Sequence, residues 1–455
     1  MDNKEAQYIK MTETPIPRLI CSLAVPTIVS MMISAIYNTA DTYFVSQLGT
    51  SASGAVGIVM SLMGLIQSSG FLIGMGAGSW ISRLLGQKQD AEASEVAASG
   101  FYFALMLGVL IAVFGTIFLN PIVMLLGATE TIRPYAMDYA RYILLAAPFL
   151  IGSLTLNKML CSEGKARFAM IGITSGGILN MILDPIFIFS LNMGIAGAAI
   201  ATAVSQTFSF CVLLYMFISG RTIIKLHIRL AARNAGRYLA IAKNGLPSFF
   251  RQGMASVAGI ALNIQAAEYG DSAVSAMAIV SKISFLVFSV VIGFGQGYQP
   301  VAGYNYGAKK FDRVRTAFLF MVRSATIFVL VFSVIFYAAA PQLIRLFIDS
   351  DPDVIRIGTE TLRFFCISTP FVPLSTSCNM TFQSIGKPAL ATFLTCSRKG
   401  YVYLPLIMIL PMFCGLPGVE IAQPLADVIT FFVCVPFVAR FFRELKMKAE
   451  VKQEA

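Results

Sequence analysis

Charged and chemically reactive side chains are scarce in this 455-residue chain. Only 13% of the residues are Asp, Glu, Lys or Arg, against 57% that are hydrophobic, and there is a single His. The eight Cys stand apart without a CxxC spacing, so neither a disulfide framework nor a zinc site is predicted. A Walker A sequence and a GxSxG nucleophile elbow are also absent from the chain. We therefore expect no enzymatic activity, no ATP hydrolysis and no organic cofactor.

Hydrophobic sequence, in contrast, is abundant. The mean hydropathy of +0.75 exceeds what the core of a soluble protein absorbs. Apolar runs long enough to cross a bilayer of about 30 Å recur from end to end. We predict twelve transmembrane helices, which start near residues 17, 53, 96, 135, 168, 194, 237, 274, 316, 356, 388 and 416. The predicted fold is an all-α polytopic membrane protein.

The two halves of the chain repeat one another. Matching residues are separated by 221 positions and, further along, by 222: Pro26 and Pro247, Gly49 and Gly270, Gly86 and Gly307, Gly164 and Gly386. Two homologous six-helix bundles around a shared cavity are the architecture of many secondary transporters.

The basic residues predict an orientation, because short cytoplasmic loops retain Lys and Arg. Arg83, Lys88, Lys158 and Lys165 fall on the same side as the basic stretch after Gly220. Both termini are then cytoplasmic, and topology rather than nucleic-acid binding explains the net charge of +11. We predict a mobile cytoplasmic tail at 1–14, an N-terminal six-helix lobe at 15–220, a cytoplasmic linker at 221–236, a C-terminal lobe at 237–445 and a second mobile cytoplasmic tail at 446–455. The linker is either a solvated connector or an amphipathic helix on the membrane surface.

Ionisable residues inside the hydrocarbon are costly and mark functional sites. In the first half these are Asp41 and Asp184. Each has a polar neighbour four residues earlier, on the same face of a helix, and span six contains a third pair with this spacing. The pairs are Tyr37 with Asp41, Asn180 with Asp184, and Ala198 with Thr202. Pro185 predicts irregular backbone beside them, because proline lacks an N–H.

The oxygens of these residues suit two ligands. Together with a backbone carbonyl they could surround one monovalent cation such as Na⁺. They could equally hold a proton, because desolvation and like charge both favour the protonated form of a carboxyl group.

The second half does not repeat this set, since Leu262 stands where Asp41 would recur. Glu420 and Asp427 are its intramembrane acids, and each has either a cavity role or a structural role. Arg398 and Lys399 begin span eleven. They either extend to the cytoplasmic interface or pair with an acid such as Asp427.

In these features the sequence resembles the multidrug and toxic compound extrusion (MATE) family of secondary transporters, and is similar to its DinF-like and MepA-like bacterial branch. The resemblance covers essentially the whole chain. It rests on these segments: PTIVSMMISAIYNTAD, SRLLGQK, CSEGKAR, QSIGKPA, NMILDP and GQGYQPVAGYNYGAKK.

This resemblance implies an antiporter in the bacterial cytoplasmic membrane, in which inward flow of Na⁺ or H⁺ drives export of amphiphilic, often cationic, organic compounds. It implies a cation site in the N-terminal lobe, formed by Asp41, Asn180, Asp184, Thr202 and the Ala198 carbonyl. It also implies a polar lining that includes Tyr37 and Asn157. Apart from the resemblance, Met31 is a candidate cavity residue, because flexible Met side chains suit varied apolar ligands.

In the mechanism that we expect, the cation neutralises the two carboxylates and the first span bends at Pro26. Each half finds its packing partner within the chain, which favours a monomer. The alternative function is a flippase for lipid-linked precursors, which usually has a strongly cationic cavity; by sequence only Arg398 and Lys399 would supply it.

Overall fold

The computed structural model describes residues 3–231, 234–348 and 351–454, and nearly all of them are helical. Two positions of the predicted linker, Ala232 and Arg233, lie outside the described residues.

The first half of the chain contains a short N-terminal helix, six long helices and one short helix between them. They are α1 (Asn3–Glu13), α2 (Ile16–Ser46), α3 (Thr50–Gly86), α4 (Asp90–Ile117), α5 (Leu119–Leu125), α6 (Arg133–Ser162), α7 (Ala166–Pro185) and α8 (Gly194–Ile218). A π-helical turn at Ile186–Ser190 follows α7 directly. The backbone therefore becomes irregular at Pro185, as the sequence predicts.

The second half follows the same order, with more interruptions. Its helices are α9 (Ala235–Ala267), α10 (Asp271–Gly307), α11 (Phe311–Ala338), α12 (Ala340–Arg345), α13 (Pro352–Ser368), α14 (Val372–Ser384), α15 (Pro388–Cys396), α16 (Tyr403–Cys414) and α17 (Leu416–Glu454). A 3-10 turn at Thr369–Phe371 joins α13 to α14, and a π-helical turn at Ser397–Tyr401 precedes α16. Proline explains the first break, because Pro370 has no N–H to continue a helix.

Twelve spans result. In the described part of the chain, nine helices are long and apolar enough to cross a membrane. The other three spans are α9, the broken pair α13–α14 and the broken pair α15–α16. The predicted all-α architecture with twelve transmembrane helices in two six-helix bundles is confirmed.

The two halves pack against each other through their first and second spans. Helix α3 packs against α9, and α10 packs against α2, so the second span of each half contacts the first span of the other. Two glycines make the closest approach of α3 and α10. A Cβ atom on Gly86 would overlap the carbonyl oxygen of Tyr304, and one on Gly307 would overlap that of Arg83. Both contacts lie at the end of the bundle that carries the linker, which we call the linker end.

Helix α1 corrects the expectation of a mobile N-terminal tail. Met11 is fully buried, and its carbonyl oxygen accepts a hydrogen bond from Asn305 Nδ2 at 3.1 Å. The Thr14 carbonyl accepts another from Arg313 Nη2 at 2.6 Å, while Gln7 Nε2 donates to the Glu163 carbonyl at 2.5 Å. Because these partners belong to both halves, α1 closes the seam between the halves at the linker end. The predicted tail at 446–455 is also helical as far as Glu454, as the end of α17.

The linker is held by one buried carboxylate. Glu163 is fully buried and accepts hydrogen bonds from the backbone N–H groups of Ile223 at 3.1 Å and Ile224 at 2.9 Å. Lys165 Nζ lies 2.8 Å from the same carboxylate. A 3-10 turn at Ile228–Leu230 is the helical structure in the described part of this stretch, which fits the connector rather than the amphipathic helix.

Candidate functional site

The polar residues of α7 and α8 meet inside the first half. Asn180 Nδ2 donates to Asp184 Oδ1 at 3.0 Å and lies 3.4 Å from Thr202 Oγ1. Asn180, Asp184 and Thr202 are 2%, 0% and 4% exposed. Ala198 is fully buried one turn before Thr202 in α8. Helical spacing thus brings these four residues into one enclosed cluster.

Asp41 of α2 reaches the cluster through Tyr139. The Tyr139 hydroxyl, from α6, donates to Asp41 Oδ2 at 3.3 Å, and the Tyr139 side chain lies close to Thr202. The Asp41 and Asp184 carboxylates are close enough to repel each other. Tyr139, which sequence reasoning missed, therefore bridges the two sides of the site.

Three oxygen atoms of this cluster are buried without a hydrogen-bond partner in the described residues: Asp41 Oδ1, Asn180 Oδ1 and Asp184 Oδ2. Buried polar atoms without a partner cost roughly 1–3 kcal/mol each, and carboxylate oxygens cost more. Carboxylate and amide oxygens are ligands of hard cations, and a carboxylate also accepts a proton. The donor set fits either ion.

A cavity of about 180 Å³, which we call the central cavity, lies beside the cluster, between the halves. Met31, Tyr37 and Asn157 line it. The Tyr37 side chain lies close to Gln206 and Asn38, which line the same cavity. The Asn157 amide has a structural partner as well, since Nδ2 donates to the Ala169 carbonyl at 3.0 Å.

Pro26 lies inside an unbroken α2. The next residue, Thr27, contacts the other half, because its hydroxyl donates to the Gly293 carbonyl of α10 at 2.6 Å. The Ser30 hydroxyl donates to the carbonyl of Pro26 itself at 2.9 Å. The proline therefore marks the point where α2 joins the second half.

The second-half acids do not join the cluster. Asp427 accepts from Arg398 Nε at 2.7 Å and from Gln423 Nε2 at 2.8 Å, so the second alternative for Arg398, pairing with an acid, is the one observed. Glu420 lines a second cavity of about 430 Å³ within this half, and its Oε2 atom is buried without a hydrogen-bond partner in the described residues.

Two cations in these cavities were not predicted from the sequence. Lys158, counted with the cytoplasmic basic residues, is 6% exposed and lines the central cavity. It lies one turn before the end of α6, where its side chain turns inward. Arg251 of α9 lines both cavities. Arg251 follows the basic linker in the sequence, so it resembles another cytoplasmic basic residue, and no motif around it indicates a cavity position.

Known proteins share this architecture and its repeat. A family model described as MatE matches residues 26–186 and again 247–409, so its two matches start at Pro26 and at Pro247, the two prolines of the repeat. The chain is 27% identical over 433 residues to the multidrug export protein MepA of Staphylococcus haemolyticus, covering 95% of each chain.

Solved structures of MATE are similar along almost the whole chain. MATE in the straight conformation superposes with a TM-score of 0.91 at 26% identity, covering 97% of this chain and 99% of that one. MATE in the bent conformation gives 0.90 at 27% identity, with the same coverage. With both halves matched, the chain belongs to the multidrug and toxic compound extrusion family, MatE.

Proposed function

We propose that this protein exports amphiphilic organic compounds across the bacterial cytoplasmic membrane, by antiport with Na⁺ or H⁺. The linker end is the cytoplasmic end, and both termini lie there. The family relationship and the name of the staphylococcal relative support multidrug export. The ion coupling rests on the cluster of α2, α6, α7 and α8.

The observation that carries the coupling is the set of three buried oxygens without partners on Asp41, Asn180 and Asp184. Two carboxylates that repel each other in a site with little solvent are unstable when both are charged and no cation is bound between them. A bound Na⁺ or proton removes this repulsion. The Thr202 hydroxyl and the Ala198 carbonyl complete the ligands for a metal ion.

Neutralisation then changes the helix packing. Asp41 is on α2, fifteen residues after Pro26, and α2 is attached to α10 through Thr27. With its carboxylate neutral, Asp41 moves closer to α7, and α2 bends at Pro26 because a proline leaves one helical hydrogen bond unmade. The bend alters the wall of the central cavity that Met31 and Tyr37 form, and the compound is released outside.

Coupling requires that the ion and the compound prefer different states of α2. A ligand that binds both states equally shifts neither, however tightly it binds. The ion favours the bent state and the compound favours the straight one.

The test is ethidium efflux from vesicles that contain the purified protein, with a Na⁺ gradient and a pH gradient imposed separately. Efflux under one gradient, lost in Asp41→Asn, identifies the coupling ion. Asp138→Asn is the matched control, because Asp138 is a carboxylate next to Tyr139 that lies outside the buried cluster and should leave efflux unchanged. Normal efflux by Asp41→Asn would refute the site. No efflux by the wild-type protein under either gradient would refute ethidium export.

A further inference from the structure

Arg251 is a largely buried cation that forms no ion pair with any described residue. It lies on α9, four residues after Pro247, and its Nη1 atom is buried with no hydrogen-bond partner in the described residues. A guanidinium group with unsatisfied donors away from water is costly, so buried arginines are normally paired with a carboxylate or phosphate. None of the residues that the structure describes pairs Arg251 with a carboxylate.

Lys158 faces the same space from the other half. Its ammonium group donates to Gln296 Oε1 at 2.7 Å and lies 5.3 Å from the centre of the Phe71 ring. Both partners are uncharged. Lys158 and Arg251 are also close enough to repel each other. Two cations from opposite halves thus share the central cavity.

The described residues that line the central cavity include Lys158 and Arg251 but no Asp or Glu. On the other side of Arg251, the larger cavity has Arg398, Lys399 and the single acid Glu420 in its described lining. Arg398 is neutralised by Asp427, and Lys399 donates to the uncharged Gln423 at 2.7 Å. The space around Arg251 is therefore positive on balance.

Apolar and aromatic side chains complete the walls. Phe285 and Ile292 line both cavities, Phe71 and Met31 line the central one, and Phe288 lines the larger one. Such walls suit a flat apolar ligand body, while a buried Arg and Lys suit one anionic group.

We propose that the central cavity recognises amphiphiles that carry an acidic group, a carboxylate or a phosphate, which binds between Arg251 and Lys158. The inference rests on the proposed function only in that this ligand is the transported compound. Zwitterionic and acidic amphiphiles then bind more tightly than their purely cationic counterparts. The organic cations expected from the family resemblance are the weaker ligands at this position.

The experiment is fluorescence-polarisation binding of two dyes to the purified protein in nanodiscs, without any gradient. Rhodamine 110 carries a free carboxylate, and rhodamine 123 is its methyl ester with the same ring system. We expect Arg251→Gln to weaken rhodamine 110 binding by at least about 10-fold and to change rhodamine 123 binding less than about 2-fold. Retained rhodamine 123 binding shows that the variant is folded.

Two further variants sharpen the result. Arg251→Lys keeps the charge and should retain most of the rhodamine 110 affinity. Arg323→Gln removes a cation of α11 that lines neither cavity and should change neither dye. Equal loss of both dyes in Arg251→Gln, or undiminished rhodamine 110 binding, would overturn the proposal. Since no gradient is used, a failure here is independent of a failure of antiport.

Short-chain lipids distinguish the sources of the acidic group. Displacement of rhodamine 110 by dihexanoylphosphatidic acid, but not by dihexanoylphosphatidylcholine, supports the proposal with a lipid phosphate as a source. Displacement by neither, with the Arg251 dependence intact, supports it with a free amphiphile as the source. Equal displacement by both lipids contradicts recognition of charge and overturns it.

Discussion

Asn157 and Asn379 make the same contact in the two halves of the protein. Each lies in the last turns of its helix and donates its Nδ2 to a carbonyl twelve residues later, at 3.0 Å to Ala169 and at 2.9 Å to Ala391. The pair shows that the repeat extends to individual side-chain contacts. A residue that the family resemblance connects with the cavity thus also fastens one helix to the next.

This symmetry predicts equal losses of stability. Asn157→Ala and Asn379→Ala each remove one buried hydrogen bond from an amide to a helix carbonyl, and such a bond contributes about 1 kcal/mol. We expect both variants to lower the thermal unfolding temperature in detergent by a similar amount. If Asn157→Ala leaves the unfolding temperature unchanged while Asn379→Ala lowers it, the Asn157 amide serves the cavity and not the fold.

Tyr139→Phe should weaken the proposed ion site without abolishing it. The change removes the hydroxyl that donates to Asp41 Oδ2, a contact worth about 1 kcal/mol, and the ion concentration for half-maximal efflux should rise roughly five-fold. Efflux from vesicles over a range of Na⁺ or H⁺ concentrations measures it.

Tyr142→Phe is the matched control for this change, because Tyr142 lies three residues further along α6 and packs against the apolar core. An equal shift in both variants would assign the effect to packing of α6 rather than to the Asp41 contact.

The glycines at the linker end should tolerate no side chain. Gly86→Ala and Gly307→Ala each press a methyl group onto a backbone carbonyl of the facing helix, and overpacking of this kind costs typically about 1–3 kcal/mol. Both variants should unfold at lower temperature. Gly64→Ala in α3 is the control, because its Cβ meets open space and the helix gains about 0.5–1 kcal/mol. Unfolding of all three at one temperature would contradict the close approach of α3 and α10.

A pH-dependent contact of Asp351 lies at the end of the bundle opposite the linker end. The Ser272 hydroxyl, at 2.8 Å, and the backbone N–H groups of Val354 and Asp353 hold the pKa of Asp351 below its usual value. The stabilisation is therefore fully present above the usual pKa, and it is lost as the pH falls through the lowered one. Ser272→Ala should unfold at a slightly lower temperature than wild type at pH 7. The difference should disappear at a pH below the pKa of Asp351, and a difference that is constant across this range would contradict the prediction.

Most of the fold followed from the sequence, because span length and the repeat are properties of the chain itself. Every predicted span starts within six residues of an observed helix, and the contacting glycines Gly86 and Gly307 are matched positions of the sequence repeat. Helix α1 did not follow, since its few apolar residues, such as Tyr8 and Met11, look ordinary until their partners on α10 are known.

The site was predictable only in part. Spacing along one helix joined Asn180 to Asp184, but the Tyr139 bridge depends on how α6 packs, which no local pattern encodes. The sequence shows that Lys158 and Arg251 are charged, but it does not show which way their side chains point. A basic residue near a helix end faces water in one packing and a cavity in another.

Helix α1 also carries information about the order of assembly. It leaves the ribosome before the helices that follow it. Its last turn and Thr14 contact Asn305, Lys310 and Arg313, which lie 294 to 299 residues later in the chain. The helix therefore waits without these contacts until α10 and α11 have been synthesised and inserted. The seam at the linker end is completed only in a chain whose second half is in the membrane.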